Sequence, residues 1–355
     1  MKSRLLALCM LFVLIAALVP GVMAQDTTIC GNLSADDCTA LTTAMTNTGA
    51  AGSGAFTLTS TIDIQSDDPT QAAKVDISAD GKFSGVTPMS VTDVTALSAD
   101  PTAALKQLTE GLKGFTGELN LKVGLPASAA SMTGGEPLVL NLLLVNGVGY
   151  IDFSKLPATI TPMLQAYKIP TGWAGLDLID TITNAGGMLT GSMAGNTTAA
   201  TASTDLPKVQ ALVAKYLAYT RDGNTFTGKL DLAGLLGDAD FQALAKSTDT
   251  KPMTAEQTAA VAALKDATFQ IVFTVDGDKM TGVNLTIDIP GSTLTALAAT
   301  STTPSDTKPP TAVKVSLDLK YTGLGEAQTV AAPDGAPVAK FADLVKLMQG
   351  PGTSG

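Results

Sequence analysis

The stretch that most constrains this chain runs from Ala267 to Ile289. Phe269, Ile271, Phe273 and Val275 alternate with Gln270, Thr274 and Asp276, and only the apolar Val272 is out of step. Beyond Asp276-Gly277-Asp278 the alternation resumes, with Val283, Leu285, Ile287 and Ile289 set against Asn284, Thr286 and Asp288. A period of two around Asp-Gly spells a β-hairpin with one buried face. Both apolar sets fall on odd numbers. They share a face if the loop has three residues, Asp276 to Asp278, or if a bulge at Gly282 absorbs one residue.

The rest of the chain supplies more strands and the helices to lie on them. Phe56, Leu58, Ile62 and Ile64 alternate with threonines and Asp63, which reads as a half-buried strand. Residues 74–86 read as a strand pair turning at Asp80-Gly81. Leu138 to Phe153 is the most hydrophobic stretch after residue 24, with Asn146-Gly147 as its turn. Both faces of its first strand are apolar, so that strand is expected to be central and covered on both sides. Val313, Val315, Leu317, Leu319 and Tyr321 alternate with Lys314, Ser316, Asp318 and Lys320. This strand is expected to pair antiparallel near Met280 to Ile289, with Leu317 and Leu319 inward.

Helix signals fall between these strands. Ser34 caps a short helix to about Thr46. Asp100-Pro101 opens another, with Leu105, Leu108 and Leu112 at helical spacing before Gly114. Asp205 and Pro207 open the clearest, with Val209, Leu212, Val213, Tyr216 and Leu217 on one stripe. Thr254 to Gln257 is a capping box, and Phe341, Leu344, Val345 and Met348 point to a final helix. FTGELNL at Phe115 and FTGKLDL at Phe226 are near-copies, and MTGVNLTID at Met280 is a weaker third. The pattern predicts two similar halves. The copies' glycines sit on the apolar face, where a bend or bulge is expected.

The first two dozen residues have a different logic. Lys2 and Arg4 precede the apolar run Leu5 to Val19, and Val22-Met23-Ala24 is a small-x-small site. That is the pattern of a cleaved export signal, 1–24. Cys9 lies inside the apolar run, out of place for lipid attachment. We divide the chain into the signal, an N-terminal disulfide loop and helix over 25–54, a sheet domain over 55–349 and a disordered tail over 350–355. Cys30 and Cys38 are the two cysteines outside the signal and are expected to pair.

Chemistry is sparse. The chain of 355 residues has 22 basic and 32 acidic residues and no histidine. The acidic balance argues against nucleic acid and against direct attraction to anionic lipid heads. Missing histidine removes Ser-His-Asp and Cys-His nucleophiles and histidine metal sites. Asp276 and Asp278, Asp36-Asp37 and Asp67-Asp68 read as turn chemistry, lacking a full calcium loop. Paired carboxylates for glycoside hydrolysis would need stacking aromatics, and the chain has one Trp and five Tyr. Asn32, Asn196 and Asn284 sit in N-x-S/T sequons. Trp173 reads as a core plug or a pocket gate. No catalytic residue, metal or cofactor is expected.

The helix-then-meander order, the hairpin DGDKMTGV, and Gly149-Tyr150-Ile151-Asp152-Phe153 followed by Trp173 resemble the LolA/LppX-like envelope proteins. It is a resemblance of pattern over 56–321 and carries no site residues across. It implies an α+β fold, a strongly curved antiparallel sheet or half-barrel wrapped around helices. It also implies a lipid or lipoprotein acyl chain held between sheet and helices. The candidate lining is Phe269, Ile271, Phe273, Val283, Leu285, Ile287, Leu317 and Leu319, with Trp173 beside it. The helices after Asp100 and Asp205 are expected to cover that face. The protein is expected to be exported and not membrane-spanning, with peripheral membrane contact at most. The alternative is a secreted structural module whose concave face is filled.

Overall fold

The hairpin forms, and the way it closes decides between the two readings of its loop. In the computed structural model, β9 (Thr268–Asp276) and β10 (Lys279–Pro290) are antiparallel, with Asp276 opposite Lys279. The loop is therefore Gly277 and Asp278 alone, and Gly277 takes the left-handed conformation at φ 60°. The odd residue is absorbed by a register shift between Met280 and Gly282. The bulge reading holds and the three-residue loop does not. The bulge brings Val283, Leu285 and Ile287 opposite Phe273, Ile271 and Phe269, since residues directly opposite share a face.

The structure describes residues 30–86, 101–127, 130–166, 169–184, 211–246, 255–299 and 308–343. The signal segment, the helix start at Asp205 and Pro207, Asn196, Leu344 to Met348 and the tail lie outside them. Twelve strands hydrogen-bond in the order β12-β6-β5-β4-β3-β2-β1-β11-β10-β9-β8-β7, so the sheet has two free edges. With its helices this is the α+β class that the sequence predicts. All strand pairs with a described register are antiparallel except the two-residue contact of β12 (Val338–Ala339) with β6 (Trp173–Asp177).

The chain divides into two compact units. Unit 1 draws its described residues from Met1–Gly49, Leu58–Asp76 and Thr204–Lys320. It contains α1 (Ala35–Gly49), most of β1 (Gly54–Gln65), β7 (Leu217–Asp222), β8 (Thr225–Leu230), β9, β10 and β11 (Ala312–Thr322). Unit 2 takes Ala50–Thr57, Ile77–Ser203 and Tyr321–Gly355. It contains most of β2 (Ala73–Ser84), α2 (Pro101–Gly114), β3 (Thr116–Gly124), α3 (Ala130–Thr133), β4 (Leu138–Val145), β5 (Val148–Asp152), α4 (Thr161–Ala166) and β6.

The connectivity repeats. In unit 2, β3 leads through α3 to β4, a two-residue Asn-Gly turn, β5, then α4 and β6. In unit 1, β8 leads through α5 (Leu232–Gly237), α6 (Ala239–Lys246) and α7 (Ala255–Ala263) to β9, the Gly-Asp turn, β10, then α8 (Gly291–Ala299) and β11. The two FTG copies open the two series, on β3 and β8.

Their glycines serve rings, not bends. A Cβ at Gly228 would lie 2.8 Å from Cε1 of Tyr219 on β7, and one at Gly117 would lie 2.9 Å from the Phe115 ring. Neither position shows a register shift. Gly81 is likewise no turn. It lies inside the continuous strand β2, where a Cβ would meet the Phe56 ring at 2.8 Å. One further expectation fails at Leu217, which starts β7 and is not part of the helical stripe ending at Tyr216.

Candidate functional site

In unit 1 the predicted lining residues come together on one face. Val283, Phe273 and Leu319 form one cross-strand row, Leu285, Ile271 and Leu317 the next, and Ile287, Phe269 and Val315 the third. Much of this face is already covered. Phe273, Val283, Ile287, Leu317 and Leu319 are buried, while Phe269, Ile271 and Leu285 are half-buried.

The cover comes from helices that the sequence did not assign to this role. α1 packs on β10, its Leu41, Ala44 and Met45 fully buried, as is Met280 on that strand. Thr48 Oγ1 accepts from Met280 N at 2.7 Å, and Asn47 Nδ2 donates to Asp278 Oδ2 at 2.9 Å. α8 brings Leu294 onto Ile62, Ile287, Val313 and Val315, and its Thr293 donates to Ala263 O on α7 at 2.8 Å. Burying each such aliphatic side chain stabilises by about 1.5–3 kcal/mol. This face is a packed core.

Unit 2 presents the corresponding face differently. Leu119 on β3, Leu142 on β4, Ile151 on β5 and Ala174 on β6 lie opposite one another in one row. The next row is Gly117, Leu144, Gly149 and Leu176, and Leu121 faces Leu140 on the other side, followed by Val123 and Leu138. None of these twelve residues is fully buried, and Ile151 is 36% exposed. On this face the Phe115 ring lies over Gly117, and Leu178 Cδ1 stands 3.4 Å from where a Gly149 Cβ would be. β4 is central, between β5 and β3, and every one of its residues is at least half-buried on both faces, with Val145 the one fully buried.

The polar chemistry of these strands is on that other face. Glu118, Asn120 and Lys122 alternate out of the aliphatic rows. Lys82 pairs with Glu118 at 3.1 Å, and Asn120 Nδ2 donates to Asp80 Oδ2 at 2.9 Å. Tyr150 lies over Gly175, where an added Cβ would meet its ring at 2.8 Å, and Asp152 accepts from Ser154 N at 3.0 Å. Trp173, opposite Asp152, belongs to this face and is separated from the aliphatic rows by the sheet.

The remaining candidates have local roles. Cys30 and Cys38 are bonded, Cα to Cα 5.3 Å. Their loop sits against β7, one free edge of the sheet. Asn32 Nδ2 donates to Tyr219 O at 3.0 Å and Asn32 Oδ1 accepts from Tyr219 N at 2.5 Å. That side chain imitates a neighbouring strand, and so the amide of this sequon is engaged. Arg221 bonds Asp37, a hydrogen bond that holds the carboxyl below its ordinary range, and lies 4.9 Å over the Phe226 ring.

Asp68 accepts from Thr70 N at 2.9 Å, the expected turn chemistry. Asp238 accepts from Lys215 Nζ and Tyr216 OH, both at 2.6 Å, and from Asp240 N at 2.7 Å, starting α6. These bonds, that from Lys215 foremost, depress its pKa. Among the described residues no three His, Cys, Asp or Glu side chains are grouped to hold a metal, and no helix is long and apolar enough to cross a membrane.

No family model matches the chain, and no curated protein does. Among solved structures, the crystal structure of LprF from Mycobacterium bovis is similar at a TM-score of 0.26 and 8% identity, over 85% of this chain and 99% of that one. At that score the likeness carries no argument about function.

Proposed function

We propose that this is an exported binding protein that holds an apolar ligand, a lipid or the acyl chain of a lipoprotein, against the aliphatic face of β3–β6. One observation carries the reading. The two units share a connectivity, yet the face that α1 and α8 close in unit 1 contains no fully buried side chain in unit 2. Leaving ten aliphatic side chains short of full burial forgoes stabilisation that the other unit takes, and such faces mark binding sites. Export is supported by the disulfide, which persists in oxidising compartments. The pattern of the first 24 residues agrees. The role is binding without catalysis, because the aliphatic rows offer no nucleophile, acid or base.

The test is extraction of protein purified without detergent, followed by mass spectrometry, with uptake of a fluorescent fatty acid by the delipidated protein. Co-purifying lipid and saturable uptake are expected. Clean apoprotein that takes up nothing would leave the structural-module reading in its place.

A further inference from the structure

We propose that the edge of β7 is a docking surface for a second copy of this chain, and that the Cys30–Cys38 bond keeps that surface closed. This goes beyond the binding of an apolar ligand and does not depend on it. β7 is the end strand of the sheet, so every second peptide group along it points outward. Tyr219 carries one of these groups, since both its N and its O bond Asn32. By alternation Leu217 and Arg221 carry the others. The turn that covers them is Cys30 to Leu33, shaped by a bond from Leu33 N to Cys30 O at 2.9 Å. Gly31 takes φ 51°, and a Cβ there would run into Leu217 O, so only glycine comes this close.

The two ends of the turn are held by different means. Beyond Ser34 it enters α1, which is fixed independently: Leu41, Ala44 and Met45 are fully buried, and Asp37 bonds Arg221. Cys30 is fixed by its bond to Cys38, in the first turn of that helix. Cys38 is half-buried, within reach of a reductant. A dithiol supplies the two electrons that break the S–S bond and closes to its own disulfide, and the cysteines end as two thiols. α1 then stays on β10 while the turn is released, and Tyr219 N and O lose Asn32.

A second copy fits what is uncovered. Antiparallel pairing of β7 with β7 about a two-fold axis at Thr220 sets Tyr219 opposite Arg221 twice, so the outward N–H and C=O of both residues are paired. On the exposed side Thr220 faces Thr220, a favourable cross-strand pair, and Ala218 faces Asp222, so no like charges meet.

Size-exclusion chromatography with light scattering tests this on the protein with and without dithiothreitol. The oxidised protein should be monomeric and the reduced protein dimeric, the dimer fraction rising with concentration. Cys30→Ser combined with Cys38→Ser should dimerise without reductant. In that background Thr220→Cys should cross-link two copies on mild oxidation, and Ala218→Cys should not. A reduced protein that stays monomeric with unchanged circular dichroism overturns the proposal. So does assembly into open-ended larger species, or a dimer that Thr220→Cys fails to cross-link. Should the reduced protein unfold, Gly31→Ala keeps the test, because its Cβ drives the turn off Leu217 O with the disulfide intact. That variant should dimerise, and a monomer overturns the proposal.

Discussion

Val283→Trp forces the largest side chain into the covered face of unit 1. Val283 is 2% exposed, between Phe273 at 2% and Leu319 at 5% in its cross-strand row. A core at interior density has no room for an indole, and overpacking of this kind costs about 1–3 kcal/mol. At about 2–4 °C per kcal/mol for a domain of this size, the melting temperature should fall by roughly 2–12 °C. Fatty-acid uptake at a temperature where the variant is folded should be unchanged. Leu142→Trp is the counterpart in unit 2. Leu142 is half-buried, so its indole should move stability by no more than about 0.5 kcal/mol, as at an open site. It should nevertheless block uptake by occupying the aliphatic rows. Thermal unfolding followed by circular dichroism, with uptake measured on the same samples, reads both. The opposite pattern, in which Val283→Trp is stable and empty of ligand while Leu142→Trp melts early and still binds, would refute the assignment of the closed and open faces.

Leu317→Asp places an unpaired carboxylate at a fully buried position and should cost several kcal/mol, whereas the exposed Lys314→Asp should cost under about 0.5 kcal/mol; equal chemical denaturation midpoints would contradict the face assignment. The Cys30–Cys38 bond closes a small loop and should contribute about 2–3 kcal/mol, checked by a thiol count in unfolded, unreduced protein, where two reactive thiols would refute the pairing. Asn32→Ala should uncover the edge of β7, which size-exclusion chromatography would report as self-association; an unchanged monomer profile would mean that the edge needs no cover. Asp238 has a depressed folded-state pKa, so its stabilising bonds are present above about pH 4 and are lost as pH falls toward the lower folded value. Asp238→Asn should flatten the acid limb of a stability profile and leave its slope near neutrality unchanged.

The strands were legible because one-sided burial writes a period of two into the sequence, and β9, β10 and β11 appear as their alternation requires. The loop of the hairpin was not, because a three-residue turn and a two-residue turn with a bulge both put odd residues on one face. Asp80-Gly81 misled because a glycine that accommodates the Phe56 ring looks locally like a glycine that turns the chain. α8 escaped notice since GSTLTALAA is small and threonine-rich and lacks a charged face to set against its buried Thr293 and Leu294. The candidate site was not legible: none of the residues read as its lining stands in the rows of β3–β6. β4 stood out as apolar on both faces, but an aliphatic strand reads the same whatever lies over it. Among the described helices, α1 and α8 cover the Val283 row, and nothing in the alternation of the strands announces them.

The ladder order also fixes a timetable. The meander β3 to β6 pairs each strand with its predecessor, so unit 2 can assemble from local contacts as soon as Asp177 has emerged. β1 lies far earlier in the chain, yet its neighbour in unit 1 is β11, where Thr311 N donates to Gln65 O at 2.8 Å. Non-local pairing of this kind is slow to form. The ladder of β3 to β6 is therefore complete in the chain while the face of unit 1 that carries Val283 and Ile287 still lacks its last strand.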